Sequence, residues 1–418
     1  MRIAFDQLGL SSGSRFPILR TIDDVLPAIE GRNEFIVANR GEFTVIDYVY
    51  NLPDSFGCLA TAATDEERRT ALIRRELRGI KFRTSDGRIL ARGWHKFFNL
   101  NEKPETQAGA VDWSVPCLAL DKLDGSAIQA ARLDAGLVFM TMMGVTDIAR
   151  QAMAFGLGSG AIAYGEFCED AIDAGFTPLF EWCSRRSKIV VDYPEDQLVL
   201  TGLRHLETGR YVQHRDLVRV AGAYGVPAVR AWGGSLDDLA AFVEHTRSLL
   251  NFEGYIVAFE DGNRLKLKAD DYVLRHKAKD KLLLEKDVVG IIAQGKDDDI
   301  VATLPVEDAD ALRAFSCALR SGLAETAAAL EARARSGMAQ VGGDRKRFAT
   351  EIAPSFDLQT RGVAYEVVGG GSAYAFLVRM VAKASFTSTR VEEVRHLWGG
   401  SRWEDFWLIP GDALKDAA

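Results

Sequence analysis

The chain has 418 residues, of which 47% are hydrophobic and 26% charged, and carries a formal net charge of −8. This length predicts two to three domains with at least one large core, and the balance excludes a disordered chain and a small disulfide scaffold. No apolar run approaches the roughly eighteen residues of a membrane span, and the start, MRIAFDQLGL, lacks the charged and apolar blocks of a signal peptide. A cytoplasmic protein without membrane contact is expected. The five cysteines, Cys58, Cys117, Cys168, Cys183 and Cys317, are odd in number and never spaced CxxC, so reduced and mainly structural thiols are expected. Six scattered histidines offer no HExxH pattern, which argues against a histidine-rich metal site.

Negative net charge argues against a protein that coats nucleic acid with its whole surface, but says little of a local patch. Between Arg68 and Lys96 stand ten Lys and Arg against two acids, a local charge of +8. The first part, ERRTALIRRELR, has helical spacing and reads as a solvated helix face. The basic residues after it call for another account.

In chain order, the sequence up to about residue 285 mixes short strands and helices, an α+β pattern, with turn signals at SDG (85–87), DAG (134–136), ETG (207–209) and EDGN (260–263). The runs CLALDKL, SAIQAARL, LVFMTMM, PLFEWC, QLVLTGL and NFEGYIVAF predict buried strands. Helices are predicted at Thr146–Phe155, Asp216–Tyr224 and Ser235–Leu250, with Thr146 and Ser235 as N-caps. After Leu284 the texture changes to GKDDD and then to long helix-forming stretches, notably Val306–Arg335. A boundary near residue 288 therefore separates a domain of residues 1–287 from a mainly helical C-terminal domain of residues 288–418. Gly369–Gly371 reads as a turn, since no GK[ST] follows, and the closing SRWEDFWLIP reads as a docked tail.

The most chemical segment is LDKLDGS, in which Lys122 lies between apolar strand residues and a tight Asp124–Gly125 turn. Alone, it is equally an exposed hairpin lysine. Glu181 in TPLFEWC and Glu253 in NFEGYIVAF are acids inside apolar strands, where a carboxylate is costly without a cation, a metal or several donors. In RLKLK a strand places Lys266 and Lys268 on one face, and two like charges side by side imply an anion between them or a solvated edge. Together these groups specify a site for an anion that a lysine attacks, and phosphorus chemistry fits it best.

Several stretches in order resemble the covalent nucleotidyltransferases, and most closely the type-1 phage ATP-dependent RNA ligases that repair broken tRNA. They are ELRGIKF (76–82), KFFNLNE (96–102), KLDGS (122–126), FEW (180–182), SKIVVDYPEDQLVLTGLRHLETG (187–209), NFEGYIVAFEDG (251–262) and LKLKADDYV (265–273). KFFNLNE is characteristic of this branch. A fainter likeness runs through GKDDDI and DRKRFATE.

The resemblance implies an antiparallel-sheet nucleotidyltransferase domain, unrelated to ATP-grasp ligases, followed by the helical domain, which governs RNA preference in the phage family. It implies that Lys122 becomes adenylylated, with Lys266 and Lys268 on the α-phosphate. Arg78 and Lys96 would meet the phosphates, Glu181 the ribose and Tyr272 the adenine, with Asp124 and Gly125 part of the nucleotide-binding set. Glu253 would organise magnesium, for which manganese can substitute, and Asp298 and Asp299 are candidates for a second metal. The implied partners are ATP and RNA with 5′-phosphate and 3′-hydroxyl ends, with an end-healing kinase or phosphatase a further candidate. An adenylyltransferase acting on DNA or protein, and a non-catalytic RNA-binding relic, are the alternatives. One departure is Met143, where the family usually carries a basic side chain.

Overall fold

The computed structural model describes residues 5–12, 15–49, 51–158, 160, 162–301 and 304–407, and the tail residues Leu408–Pro410 of SRWEDFWLIP lie outside them. It consists of two compact units, residues 1–273 and 274–418. The change of texture near residue 288 lies inside the second.

The first unit is built on three antiparallel sheets. β1 (Phe35–Asn39), β2 (Phe43–Tyr48), β3 (Ile80–Arg83) and β4 (Ile89–Ala91) form a meander in that order, with α1 (Asp65–Glu76) inserted between β2 and β3. β5 (Cys117–Asp121) leads into β6 (Ser126–Leu133) and β7 (Gly136–Met140). After α2 (Asp147–Gly158) and α3 (Tyr164–Asp173) come β8 (Phe176–Cys183) and β9 (Gln197–His205), giving a sheet of order β7-β6-β8-β9. α4 (His214–Ala223) and α5 (Leu239–Arg247) precede β10 (Gly254–Phe259) and β11 (Arg264–Lys268), which with β5 make the sheet β11-β10-β5.

Local chemistry sets several boundaries. Thr64 caps α1 by accepting from the Glu67 N–H, and the first turn is acidic (Asp65, Glu66, Glu67) while the last is basic (Arg74, Arg75), as the helix dipole favours. Thr146 Oγ1 accepts from the Ala149 N–H, as the sequence predicts. Ser235 does not cap α5. Its hydroxyl donates to Asp237, and the helix starts later behind Asp238, whose carboxylate accepts from the Ala241 N–H.

The second unit is helical. α6 (Asp270–Asp280) runs into it, followed by α7 (Glu285–Ala293), α8 (Asp297–Val301), the 35-residue α9 (Val306–Gln340), a one-turn α10 (Arg345–Arg347), α11 (Arg361–Val368), α12 (Ala373–Ala384) and α13 (Ser388–Val394). Leu312, Phe315, Leu319 and Leu323 of α9 pack against Val288 and Leu377 in one core. The aromatics of the closing segment dock as expected: Trp403 Nε1 donates to Leu282 O and Trp407 Nε1 to Asp308. Among the described residues no helix is long and apolar enough to cross a membrane.

The basic stretch is a surface patch only in part: Arg68, Arg69 and Arg88 are exposed. Arg75, Lys81 and Arg92 are buried, and only a fold that brings acceptors to them could have allowed it. Arg92 and Arg204, fully enclosed, both donate to the carboxylate of Glu76, at 2.9 Å each. This joins α1, the chain after β4, and β9. Burial pushes the Glu76 carboxyl up, but Arg204 and Arg92 outweigh it and hold it below the ordinary carboxylate value.

Its stabilisation is therefore present above the unfolded-state pKa and lost as pH falls through the folded one. Replacing Glu76 by Gln leaves two buried guanidinium groups without their counter-charge, at an expected cost of about 3–5 kcal/mol. The measurement is the urea midpoint against pH, where the wild type should lead the variant at neutrality and converge on it in acid. Equal midpoints at neutral pH would show that the cluster does not hold the unit together.

Candidate active site

Lys122 follows directly on β5, and its N–H donates to Gly254 O at 2.8 Å, so the strand pairing fixes where its side chain leaves the sheet. Lys122 Nζ lies 2.6 Å from Glu253 Oε1, and Lys268 Nζ lies 3.3 Å from the same oxygen. Glu253, 3% exposed, stands one residue before β10. Gly254 makes this possible: its φ is +138°, and a Cβ there would meet Leu267 O at 2.1 Å. One buried carboxylate is thus shared by two ammonium groups.

Asp124 is bound on both oxygens. Oδ2 accepts from the N–H groups of Val190 and Val191, each at 2.7 Å, and Oδ1 accepts from the Tyr272 hydroxyl at 2.8 Å. Its own N–H donates to the Tyr193 hydroxyl at 2.8 Å. At Gly125 a Cβ would sit 2.5 Å from Trp182 O, so the turn after Lys122 closes against β8 only with glycine. Tyr272 is buried, with Lys268 Nζ 5.1 Å from its ring centre.

Glu181 on β8 faces the same neighbourhood but remains partly exposed. Burial pushes its carboxyl up to about 8, Lys122 pulling down and Glu253 and Asp124 pushing further up. Lys266 is held well below the ordinary lysine value by burial and by Arg78, Lys122, Lys96 and Lys268 around it. Its Nζ lies 4.9 Å from the ring centre of Phe97. Lys96 donates to the Tyr48 hydroxyl at 3.0 Å and sits 4.7 Å from that ring's centre and 5.0 Å from that of Phe56.

Lys122, Glu253, Lys268, Glu181, Lys266, Arg78, Lys96, Asp124 and Tyr272 are therefore one electrostatic neighbourhood. Asp298 and Asp299 belong to the other unit, exposed on α8, where their neighbour Asp297 is buried on Ser316 and Arg320. Among the described residues no group of three or more His, Cys, Asp or Glu side chains is arranged to hold a metal ion.

Sequence reasoning gave no role to Val190, Val191 and Tyr193, although SKIVVDYPEDQ contains them, or to the aromatic walls Tyr48 and Phe97. The signal was there in the hydroxyl and bare N–H groups near a buried acid. Met143 lies partly exposed beyond β7. Beside it, buried Lys81, pushed down to about 7 by burial, donates to Gly79 O, Gln129 Oε1 and Met142 O, which ties this loop to β3. The site as a whole gathers several cations around one shared, buried carboxylate, a charge arrangement suited to a multiply charged anion.

Residues 76–283, about half of the chain, match the RNA ligase family of phage type. RNA ligase 1 of bacteriophage TS2126 is 28% identical over 322 residues, covering 69% of this chain and 73% of that one. A candidate RNA ligase of Thermovibrio ammonificans is 26% identical over 298 residues, 68% of this chain and 72% of that one. An archaeal ATP-dependent RNA ligase structure aligns with a TM-score of 0.44 at 17% identity, and the chain covers 64% of its length from 62% of its own. On the family match and these relatives, the chain belongs to the phage-type RNA ligase family of enzymes.

Proposed function

We propose that the chain is an ATP-dependent RNA ligase that joins a 5′-phosphate to a 3′-hydroxyl in RNA repair, with tRNA the substrate class and an end-healing kinase or phosphatase as its supplier. The observation that carries this is the Lys122 ammonium resting on Glu253 Oε1, an oxygen shared with Lys268. Lys122, once it has lost a proton, attacks the α-phosphorus of ATP. The P–N bond forms, the α–β anhydride bond breaks, and pyrophosphate leaves. An oxygen of the RNA 5′-phosphate then attacks that phosphorus, freeing Lys122 and forming a 5′–5′ anhydride. Finally the 3′-hydroxyl attacks the RNA phosphorus, loses its proton, and AMP departs.

Each cation has work in these steps. Lys266 and Lys268 project from the same face of β11 and would neutralise the α-phosphate, while Arg78 and Lys96 would take the departing pyrophosphate. Glu181 would accept from the ribose. Asp124 and Gly125 hold the turn that aims Lys122, and Tyr272 closes the same wall beside the base.

A divalent cation, magnesium or manganese, fits Glu253, because magnesium keeps several waters and binds through one or two carboxylates plus substrate phosphates. It would supply charge neutralisation. Glu253 would hold that cation, and Lys122 and Lys268, which share its Oε1, would then face the substrate phosphates. The helical unit would choose the RNA; exposed Tyr374 and Arg379 on α12 are groups suited to that contact.

Lys122→Ala should abolish covalent labelling by ATP and retain part of the sealing of chemically pre-adenylylated RNA, because the last step needs no lysine nucleophile. Labelled ATP, a denaturing gel and a chase with 5′-phosphorylated RNA or DNA provide the test. Undiminished labelling would remove Lys122 from its role, and transfer to DNA alone would change the acceptor.

Glu253→Gln should stay folded and lose adenylylation at least about a hundredfold, the scale for one lost charge-stabilising group. Partial recovery in raised magnesium or manganese supports the metal role. Wild-type labelling at low magnesium would leave Glu253 as a structural partner of the two lysines.

A third expectation concerns protons. Burial and the surrounding cations lower the proton affinity of Lys266, and a polyphosphate beside it raises that affinity again, so ATP binding should take up protons across the pH range between the two titrations. Calorimetry in buffers of different ionisation enthalpy reads this directly. The uptake should vanish in Lys266→Met; release, or an unchanged uptake in the variant, would place the titrating group elsewhere.

A further inference from the structure

At the other end of β11 from Lys268 stands Arg264, in register with Ala258 of β10 as Lys268 is with Gly254. By alternation Arg264, Lys266 and Lys268 share one face, and at about 3.3 Å per residue Arg264 lies roughly 13 Å from Lys268. Arg264 is 8% exposed, yet it donates no hydrogen bond and has no carboxylate within ion-pair distance among the described residues. Its Nε is buried without a partner. The guanidinium carbon is 4.5 Å from the ring centres of both Trp94 and Tyr211, which give it a π surface but no acceptor.

The surroundings increase the charge instead of cancelling it. Arg204 also lies against Tyr211, at 4.8 Å, and with Arg92 it already uses the one carboxylate of Glu76. The Tyr211 hydroxyl is committed to His95. Burial and Arg204 together push Arg264 down to about 10, while Tyr211 acts the other way. A guanidinium carries five donors and stays charged, so its burial without acceptors is costly.

Arg264 lines a cavity of about 270 Å³ between β5, β9 and β10, walled by Leu118, Leu120, Thr201 and Ala258. Gln213, His214 and Arg215 border it too, and the one acid in its lining, Glu260, is exposed and pairs with neither arginine among the described residues. A water-filled cavity would meet some donors but none of the charge.

We propose that this cavity is a second oxoanion site, in which Arg264 takes a phosphate group, either inorganic or as a phosphomonoester. It is separate from the Lys122 neighbourhood and does not depend on the activity proposed above. Arg215 at the border would add a second cation. The apolar walls leave space for a sugar-sized body behind the phosphate, and no step of bond making is assigned to the site.

The test is calorimetric titration of the full chain with inorganic phosphate and, separately, ribose 5-phosphate, after saturation with a non-hydrolysable ATP analogue so that Lys122, Lys266 and Lys268 are occupied. One saturable site with a dissociation constant on the order of 1 mM or tighter is expected. Arg264→Met should weaken it at least about tenfold, the loss for hydrogen bonds to a charged group. Ala258→Leu, which fills the cavity and leaves the guanidinium in place, should weaken it as well, so a folding defect in the arginine variant does not decide the outcome.

Tighter binding of ribose 5-phosphate identifies a phosphomonoester, and equal binding identifies phosphate itself. If the analogue fails to bind, the nucleotide proposal falls, and titration of Lys266→Met still reads the Arg264 site. Absence of saturable phosphate binding, or binding indifferent to both Arg264→Met and Ala258→Leu, would overturn the proposal and leave the cavity to water.

Discussion

The carboxylate of Glu253 is the charge on which the site depends. Lys122, Lys268, Lys266, Arg78 and Lys96 converge on one neighbourhood, and like charges so close would repel strongly where water is partly excluded. Two responses are visible. Glu253 pairs with two of the cations, and Lys266 moves toward its neutral form. A polyphosphate could replace Glu253 as counter-charge to all five, so the groups that stabilise the protein by itself are those its substrate would engage. That exchange asks for no rearrangement of β10 or β11, because Gly254 already brings Glu253 against β11.

Asp124 supplies the mechanical half of the arrangement. A carboxylate with protein donors on both oxygens acts as a bracket, and this one joins the Lys122 turn to Val190, Val191 and Tyr272. Those partners come from two stretches of chain, both distant from the turn itself. Moving any one of them would withdraw a donor from a buried acid, a loss of about 1–3 kcal/mol or more for a charged group. The turn that carries Lys122 is held by a network whose members do not pair with its ammonium group, which is how a lysine on a turn can be aimed as well as one within a strand.

Much of this was legible in the sequence because two-residue alternation is local. RLKLK states which lysines share a face, and the six apolar runs each form or overlap a strand. The helical texture after Leu284 was legible for the same reason. The N-terminal sheet β1–β4 was not, since its strands are short and their pairing joins residues on either side of a helix. The cap of α5 was missed because Ser235 and Asp238 carry equivalent oxygens, and only the loop geometry decides which one meets the helix N–H groups. Glu181 was legible as an acid inside an apolar strand, but the structure leaves it partly exposed and raises its proton affinity. Its charge state depends on Lys122 and Glu253, which lie far away in the chain.

The basic stretch from Arg68 to Lys96 shows why a count of charges misleads. Burial does not by itself separate a structural cation from a reactive one; the partner does. Arg92 and Arg204 are enclosed with Glu76, which serves nothing else, and a pair of that kind has no route to exchange its acid for a substrate. Lys122 and Lys268 share a single oxygen between them, so each is underpaired and either can turn to an incoming anion. Arg264 has no acid at all among the described residues. Ranked by how much of its counter-charge the protein itself supplies, the cations fall in an order that runs from scaffold to binding site, and that order depends on pairs as distant in the chain as Glu76 with Arg204 and Lys122 with Glu253, beyond the reach of any local pattern.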